Sequence, residues 1–467
     1  MTDTPVHPPI IVGAGPAGVR TAETLVAAGL RPLVIDEAAR WGGQIYRQPP
    51  EGFHRPKRAL YGFEAGKADA LHRAMAGILP AVDYRPRSLV WNIESGALDV
   101  TPNDGLKGGR SETVPFSHLI LAPGATDRVL PFPGWTTPGV FTLGGSQVAL
   151  KFQGCAVGSR VLFLGTGPLL YLVAYQYAKA GATVAGVLDT SGFADHARAV
   201  PGMLRDPGTF AKGVYYVGWL RAHGVPVHSG VRPVRVEGDG RVEALVWRRN
   251  GAEQRTVCDA VAFGLGLRPE TQLADLAGCR FRFDAMDRAW VPERSAAGRT
   301  SVAGVYVAGD GAGIAGADAA EMAGERAALA LLEDLGRPVD SARATLLEQK
   351  LAASARFRRA LTDAFPFPAD WAASVPDDTP VCRCEEVSAG TLRKAARDGE
   401  AAEINRLKAL TRVGMGRCQG RMCGAASAEL LAQALGTGPD AVGRLRSQPP
   451  VKPLPFSAGI LDEEKAS

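Results

Sequence analysis

The chain has 467 residues, 46% of them hydrophobic and 22% charged, a composition that excludes global disorder and, at about 100–200 residues per domain, predicts two to four domains. Lys+Arg 53 against Asp+Glu 48 gives a net charge of +5 without a concentrated basic stripe, so no nucleic-acid partner is expected. No apolar run approaches about 18 residues, which predicts no membrane span, and residues 1–9 lack a secretory signal, so we expect a cytoplasmic protein.

The first element is a βαβ unit with a glycine turn. A short apolar strand at 10–12 ends in Gly13-Ala-Gly15-Pro-Ala-Gly18, a helix follows, and a second strand at 32–35 closes with Asp36. These parts, in this order, are typical of a dinucleotide site, where the glycines admit a pyrophosphate and the helix N-terminus faces it. Asp36, 23 positions after Gly13, is placed to accept a hydrogen bond from a ribose hydroxyl.

A second copy follows at 160–189. Its strand leads into Gly165-Thr-Gly167-Pro-Leu-Leu170, and its last strand ends at Asp189. Leu170 replaces the third glycine, whose role is close packing of the helix on the strand. Two interpretations stay open: a unit that holds a nucleotide such as NAD or ATP differently, and a structural Rossmann domain without a tight ligand. We expect little or no use of NAD(P).

A third element, 304–311, is a strand that ends in Gly309-Asp310-Gly311, with a helix from about Ala317. An acid at the end of such a strand can bind a polyol, while the helix N-terminus faces a phosphate or a flavin edge. The alternative is a structural turn in which Asp310 caps the helix.

Two further glycine turns, 122–126 and 264–269, lie where the chain would cross between two nucleotide domains. The crossings predict a discontinuous first domain, 1–150 plus 257–334, with the second dinucleotide-binding domain, 151–256, inserted. A helical linker at 335–376, a small domain at 377–440 with two short helices, and an extended Pro-rich tail at 441–467 complete the chain. The tail is expected to lie across this chain or a partner.

Four of the seven cysteines, Cys382, Cys384, Cys418 and Cys423, lie within 42 residues, which in a chain without an export signal favours a metal or cluster site over disulfides. Thiolates suit zinc or iron–sulfur iron, but no histidine follows His228, which excludes a Cys/His zinc site here. Glycines around the second pair free backbone N–H groups for sulfur, as clusters need. The residues favour [2Fe-2S]; zinc and a ligand-free cysteine group stay open.

These motifs together resemble a known family. The glycine turn 13–18, Asp36, Gly42-Gly-Gln44, the turn 122–126 and Gly309-Asp310 resemble flavoproteins with two dinucleotide-binding domains. The Cys-x-Cys and Cys-x4-Cys pairs of the small domain resemble the bacterioferritin-associated-ferredoxin-like [2Fe-2S] domain, although the free ferredoxin spaces its second pair Cys-x-x-Cys. With Val381–Glu386 and Gly414–Arg421, the chain is similar to the A (alpha) subunits of opine oxidases, heteromeric proline and hydroxyproline dehydrogenases and hydrogen cyanide synthase, and to part of the sarcosine oxidase alpha subunit.

The resemblance implies an α/β fold with two Rossmann-like domains, the second inserted in the first, and a small helical [2Fe-2S] domain. It assigns the four cysteines to the cluster. It implies FAD in the first domain and these cofactor-binding residues: Gly13, Gly15, Pro16, Ala17, Gly18, Asp36, Glu37, Gly42, Gly43, Gln44, Ala122, Gly124, Ala125, Thr126, Gly165, Gly167, Gly309 and Asp310.

The family also implies a partner, a second flavoprotein of the D-amino-acid-oxidase type that oxidises a C–N bond, which makes this chain a redox subunit. A small gamma subunit, together with an FMN at the interface, is open by analogy. The chain contains no Cys-x-x-Cys dithiol, and no catalytic residue can be assigned. Two alternatives remain: a self-sufficient NAD(P)H-dependent flavin reductase, and a regulatory or iron-handling module. Arg383, Arg417 and Arg421 either offset the cluster's charge or face solvent.

Overall fold

This computed structural model describes residues 7–53, 55–103 and 109–459. Residues 1–6, part of the start that argues against a secretory signal, and 460–467, the end of the predicted tail, lie outside them. The first stretch contains β1 (Ile10–Val12), α1 (Pro16–Ala27), β2 (Leu33–Ile35), α2 (Lys57–Tyr61), α3 (Ala65–Ile78), β3 (Asp83–Arg85), β4 (Ser88–Glu94), β5 (Ala97–Pro102), β6 (Glu112–Pro115), β7 (Leu119–Leu121) and β8 (Ala125–Asp127).

Residues 140–265 contain a five-stranded parallel sheet in the order β12-β11-β10-β16-β9, with the bounds given next. The elements of this second stretch are β9 (Val140–Thr142), α4 (Leu143–Val148), β10 (Arg160–Thr166), α5 (Pro168–Lys179), β11 (Thr183–Asp189), α6 (Phe193–Met203), α7 (Pro207–Ala222), β12 (Val227–Ser229), β13 (Arg232–Glu237), β14 (Ala244–Arg249), β15 (Ala252–Val257), β16 (Ala260–Leu265) and β17 (Leu267–Pro269). β9 precedes the predicted border at 150, and β16 follows the predicted border at 257. The predicted borders would therefore assign two strands of this sheet to the first domain.

The third stretch completes the first sheet, whose order is β20-β7-β1-β2-β3. It adds α8 (Gln272–Leu276), β18 (Phe281–Asp284), β19 (Ala289–Pro292), β20 (Val305–Val307) and α9 (Ala317–Asp334). Alternate strand residues enter two cores, as the period of a strand requires. Ile11 and Val34 pack against the helices, whereas Ile10 and Leu33 pack against β4 and β5. The first glycine turn thus ends a strand that is buried on both faces.

The last stretch forms a small helical unit behind a long helix. Its elements are α10 (Ser341–Ala364), α11 (Trp371–Ser374), β21 (Pro380–Cys382), β22 (Val387–Ser388), α12 (Ala389–Arg397), α13 (Ile404–Thr411) and α14 (Gly424–Leu435). The tail lies across this chain's own surface: Arg444 pairs with Asp275 at 2.5 Å, and the Val451 N–H donates to the Trp91 carbonyl at 3.1 Å. The tail therefore joins the small unit to α8 and to β4.

The predicted α/β class is confirmed, with two Rossmann-like units, the second inserted in the first, and a small helical unit at the C-terminal end. Within the described ranges, no helix combines the length and the apolar character needed to cross a membrane.

Candidate functional site

The first glycine turn lies between β1 and α1, where Gly15 precedes the helix and Pro16 is its first residue. A Cβ atom added to Gly18 would lie 1.8 Å from the carbonyl oxygen of Gly13, so only glycine permits this packing. Ala17 is buried beside it. The first N–H groups of this 12-residue helix have no acceptor within the helix, which makes its N-terminus a suitable place for a phosphate.

A second glycine pair lies across this turn. The Gly42 N–H donates to the carbonyl of Ala14 at 2.8 Å, and a Cβ added to Gly43 would lie 2.9 Å from the Cα of Gly15. Gln44, the next residue, is exposed. Gly15 and Gly43, which have no side chains, therefore lie close together at the candidate dinucleotide cleft.

The two acidic residues after β2 have different surroundings. Asp36 is 8% exposed, and its carboxylate accepts the N–H groups of Ala14 and Ala38. Burial raises the pKa of Asp36 to about 6, although these two donors oppose the rise. The Glu37 side chain is 47% exposed and contacts Lys452 of the tail. Asp36 thus braces the glycine turn, while Glu37 keeps an exposed carboxylate near it.

The turn after β7 contacts the first glycine turn. The Ala122 N–H donates to the Val12 carbonyl at 2.8 Å. The Gly124 carbonyl accepts the N–H of Glu270 at 3.0 Å, and Ala125 pairs with Pro269 in the ladder of β8 and β17. The two crossing turns that the sequence separates by about 140 positions therefore lie side by side.

Two buried polar atoms in this ladder indicate a ligand. Thr126 and Arg268 are paired across β8 and β17, and neither the Thr126 Oγ1 nor the Arg268 Nε has a hydrogen-bond partner among the described residues. Buried polar atoms are nearly always hydrogen-bonded. A polar ligand in the adjoining cleft would supply the missing partners, which fits a dinucleotide there.

Gly309 and Asp310 complete the cleft. Gly309 follows β20, and a Cβ added to it would lie 3.0 Å from the Cβ of Ala17 on α1. Asp310 accepts the N–H groups of Ala315 and Gly316 at 2.8 and 3.0 Å, just before α9, and burial raises its pKa. Gly316 is the N-cap residue of α9 and no side chain of the described residues caps that helix, so the interpretation of Asp310 as the cap is wrong. The Asp310 carboxylate instead orders the turn that leads into α9.

The second glycine turn is built differently. Gly165 lies at the end of β10, and Gly167 precedes α5. Asp189 is fully buried, and its carboxylate accepts the Tyr171 hydroxyl at 2.5 Å and the Ser191 N–H at 2.8 Å. The acid that would bind a ribose is thus sealed within the protein. The glycine motif indicated a difference at Leu170. The neighbouring Tyr171, which occupies the Asp189 carboxylate, belongs to no sequence motif.

A cavity of about 1330 Å³ lies beside the second glycine turn. Thr166 and Pro168 line it, as do Ala315 and Gly316 before α9. Single-ligand pockets usually measure about 300–1,000 Å³. The space therefore exceeds what one flavin ring needs, and Gly167 of the second turn lies on its wall.

Lys151 is a buried cation that no sequence motif marked. It lies on a π-helical segment, Ala149–Gln153, is 2% exposed, and donates from its Nζ to the Ile45 carbonyl at 3.0 Å. Burial lowers its pKa to about 7, and the charge of Arg47 contributes to the lowering.

We expect Lys151→Met to flatten the dependence of stability on pH between about pH 7 and 10. The folded-state pKa lies below the ordinary 10.5, so the unfolded chain binds more protons in this window and the free energy of unfolding of the native protein rises with pH. Methionine preserves most of the buried stem. Thermal midpoints of both proteins across that window give the two slopes; equal slopes would contradict the assignment.

The four thiols of the C-terminal unit come together. Cys382 ends β21, and Cys423 immediately precedes α14. The Cys423 thiol is hydrogen-bonded to both Cys382 and Cys418, and Cys418 is hydrogen-bonded to Cys384. Cys423 is 1% exposed, whereas Cys384 lies at the surface. The group thus has a buried side and a solvent side.

These contacts lower the pKa of two of the thiols and raise the pKa of the other two. A hydrogen bond from Cys423 lowers the pKa of Cys382 to about 6 and that of Cys418 to about 5. The same bonds raise the pKa of Cys423, the shared donor, while burial raises that of Cys384. Thiolate is the form that binds metal, so these contacts favour ligation at Cys382 and Cys418 and oppose it at Cys384 and Cys423.

Backbone donors surround the sulfurs. The Met422 N–H lies 3.5 Å from the Cys418 Sγ, and the Gly414 N–H donates to Cys382. Across the described ranges, no three His, Cys, Asp or Glu side chains could hold a metal ion as they stand. The four thiols instead contact one another in pairs. Four soft donors with N–H groups on the sulfurs nevertheless match the ligand chemistry of an iron–sulfur cluster, which distributes its ligands over two irons.

Several contacts hold this unit against the rest of the chain. The Trp135 Nε1 donates to the Pro380 carbonyl at 2.6 Å, and the Gln272 Nε2 donates to the Gln419 carbonyl at 2.9 Å. Leu445 of the tail packs over the glycines of the cysteine loop. Arg383 and Arg417 are exposed, as the solvent interpretation predicts, whereas Arg421 pairs with Glu270.

Two family models match this chain. The pyridine nucleotide-disulphide oxidoreductase model covers residues 8–324, and the BFD-like [2Fe-2S] binding domain covers residues 380–433. The A subunit of the opine oxidase of Agrobacterium tumefaciens (strain Ach5) is 38% identical over 95% of this chain and 90% of its own length. The chain belongs to the pyridine nucleotide-disulphide oxidoreductase family, in the group that contains the opine oxidase A subunits and the hydrogen cyanide synthase subunits HcnB.

Other relatives of this family extend the comparison. Hydrogen cyanide synthase subunit HcnB of Pseudomonas aeruginosa is 35% identical over 96% of this chain and 97% of its own length. The sarcosine oxidase alpha subunit of Rhizobium meliloti (strain 1021) is 25% identical over 96% of this chain, which spans 42% of that longer subunit. The predicted family resemblance is confirmed.

The solved structures show the same fold. L-Proline dehydrogenase from P. horikoshii superposes with a TM-score of 0.70 over 96% of this chain and 78% of its own, at 20% identity. T. acidophilum thioredoxin reductase gives 0.50 over 70% of this chain and 97% of its own, at 22% identity. As a member of this family the chain is a flavin-dependent oxidoreductase, and the two models imply FAD and a [2Fe-2S] cluster.

Proposed function

We propose that the chain is the FAD- and [2Fe-2S]-containing redox subunit of a heteromeric dehydrogenase or oxidase that acts on the C–N bond of an amino acid, opine or related secondary amine. The observation that carries the proposal is the position of the cysteine loop. Gln419 of that loop contacts Gln272, two residues after Glu270, whose N–H is bonded to Gly124 of the candidate flavin turn. Gln272 and Glu270 thus connect the cysteine loop with the turn of the candidate dinucleotide cleft.

The residues of the cleft have distinct proposed roles. The N-terminus of α1 and the backbone of Gly15 and Gly43 would hold the pyrophosphate, and Glu37 would accept from the adenosine ribose. Asp310, whose contacts to N–H groups orient it before α9, would accept from the ribityl chain. The unpartnered polar atoms of Thr126 and Arg268 would bond the cofactor as well.

The thiols provide the outlet for electrons. When bound, a flavin accepts an electron pair and a [2Fe-2S] cluster carries single electrons. The chain contains no Cys-x-x-Cys dithiol that could take the pair instead. The buried Cys382 and Cys423 would hold the cluster from the protein interior, and the exposed Cys384 would hold it at the surface, where an acceptor could be reached.

The substrate pocket would lie in a partner, which we propose to be a second flavoprotein of the D-amino-acid-oxidase type. Support comes from the relatives, several of which are named as subunits. A small third subunit, with an FMN at the interface, is part of the same proposal, and the cavity of about 1330 Å³ has room beyond one flavin ring.

Co-purification with the native partner tests this function. We expect a complex with flavin and cluster absorbance that is bleached by one member of a panel of amino acids and opines. An isolated chain that oxidises such a substrate by itself at the rate of the complex would overturn the subunit role, since no pocket of the partner would then be needed.

A self-sufficient NAD(P)H-dependent flavin reductase is the second candidate, and one observation favours it: the cavity connects the second glycine turn with the N-terminus of α9. The sealed Asp189 argues against it, because its carboxylate is already bonded to Tyr171 and Ser191.

We therefore expect NADH and NADPH to bleach the flavin of the isolated chain at least about 100-fold more slowly than substrate bleaches the complex, a difference of roughly 2.7 kcal/mol in activation free energy. Anaerobic stopped-flow absorbance at the flavin band measures both rates. Stoichiometric bleaching by NADH within the dead time would favour the reductase instead.

A further inference from the structure

The cysteine loop forms a partly buried ion pair with the flavin unit. Arg421 lies between Cys418 and Cys423, and its Nε is 3.2 Å from the Glu270 Oε2. The two side chains are only 14% and 12% exposed. Arg421 also donates to the Val451 carbonyl of the tail. The cationic side chain in the middle of the loop is therefore fixed on the flavin unit and only slightly exposed to solvent.

Glu270 is in turn fixed to the flavin turn. Its Oε1 accepts the Gln272 N–H at 3.1 Å, and its own N–H donates to the Gly124 carbonyl at 3.0 Å. The carbonyl of Glu270 also borders Gly311, which follows Asp310. One glutamate thus contacts the cysteine loop with its side chain and the flavin cleft with its backbone.

We infer that Arg421 and Glu270 are positioning residues that seat the cluster on the flavin turn and set the reduction potential of the cluster. The inference rests on the proposed function, because it assumes a [2Fe-2S] cluster on the four cysteines. Reduction adds one electron to the cluster and breaks no bond, so the complex gains one negative charge. The Arg421 charge favours that gain and the Glu270 charge opposes it, and burial weakens the screening of both.

The two opposite charges predict the direction in which each substitution shifts the reduction potential of the cluster. Arg421→Gln leaves Glu270 unpaired beside the cluster and should lower the equilibrium constant of reduction at least tenfold, which is about 59 mV for one electron. Glu270→Gln leaves Arg421 unpaired and should shift the potential in the opposite direction. The double variant should return most of the way to the native value, and Arg421→Lys should stay near it. A loss of packing alone would not reverse sign between the two partners.

The experiment is a potentiometric titration of the purified holo-complex with dithionite and mediators, followed by electron paramagnetic resonance. Gln272→Leu removes the neutral hydrogen bond to Gln419 of the cysteine loop, and Arg412→Gln breaks an exposed pair with Glu385 beside Cys384. We expect both controls to keep the native potential, because neither unbalances a buried charge. Shifts of the same sign in Arg421→Gln and Glu270→Gln, or no shift in either, would overturn the inference.

Absence of iron and of any cluster signal in the native complex would instead refute the proposed function, so the two failures are distinguishable. If Arg421→Gln does not retain its cluster, Glu270→Gln and the double variant decide. A reduction potential that rises in Glu270→Gln and returns in the double variant supports the inference. Unchanged reduction potentials in both variants contradict it.

Discussion

Serine in place of Cys423 is expected to abolish the [2Fe-2S] cluster and leave FAD in place. Cys423 is hydrogen-bonded to both Cys382 and Cys418 and is 1% exposed, so its loss removes the thiol that links the two pairs. Serine is a harder and far less acidic ligand than a thiolate. Iron analysis should fall from two irons per chain to near zero, and the S = 1/2 signal of the reduced protein should disappear.

The flavin content gives this prediction its internal control. The candidate FAD residues lie in the turns that follow β1, β2, β7 and β20 and on β8, outside the C-terminal unit, so flavin absorbance should stay close to native. Cys155→Ser, at an exposed cysteine outside the group, should keep both cofactors. One zinc per chain and no resonance signal in the native protein would show that the four thiols hold a different metal.

The first glycine turn could be predicted from sequence because its chemistry is local. The lack of a side chain at Gly18, the short strand before Gly13 and the acid after β2 are all encoded within about 30 residues, and each has a single steric or hydrogen-bonding role. The role of that acid was harder to assign. Asp36 and Glu37 are neighbours in sequence, and only their environments distinguish the brace from the exposed carboxylate.

The four thiols were predictable as a set for a different reason. Soft ligands at close spacing restrict the chemistry even before a backbone is known. Their surroundings were not predictable, because the contacts come from distant parts of the chain. Glu270 and Arg421 are 151 positions apart, and Leu445 reaches the loop from the tail. No local pattern encodes such pairs.

The borders of the inserted unit show the same limit. Glycine turns indicated that the chain crosses at 122–126 and 264–269, but the pattern did not show that β9 and β16 belong to the second sheet. A three-residue strand such as β9 becomes a strand through its neighbour, β16. The enclosure of Asp189 is a further tertiary effect, since it depends on which face of α5 presents Tyr171.

Replacing Gly15 by valine is expected to eliminate FAD binding without unfolding the chain. Gly15 has φ −75° and ψ −171°, which an L-residue adopts, and an added Cβ would meet only the Cα of Gly43, at 3.6 Å. The isopropyl group therefore fits the backbone but occupies the cleft between the two glycine segments. We expect at least a tenfold loss of FAD affinity, about 1.4 kcal/mol, measured by flavin retention after gel filtration and by titration of the apoprotein.

Gly18→Ala is the matched variant, and its effect should be of another kind. A Cβ there would lie 1.8 Å from the Gly13 carbonyl oxygen, so α1 must move away from the strand, at a cost of about 1–3 kcal/mol or more. Gly18→Ala should lower the thermal midpoint of the apoprotein, whereas Gly15→Val should not. If Gly15→Val retains full FAD, the cofactor does not lie at this turn; if both variants lose the same stability, the loss of FAD reflects damage to the fold.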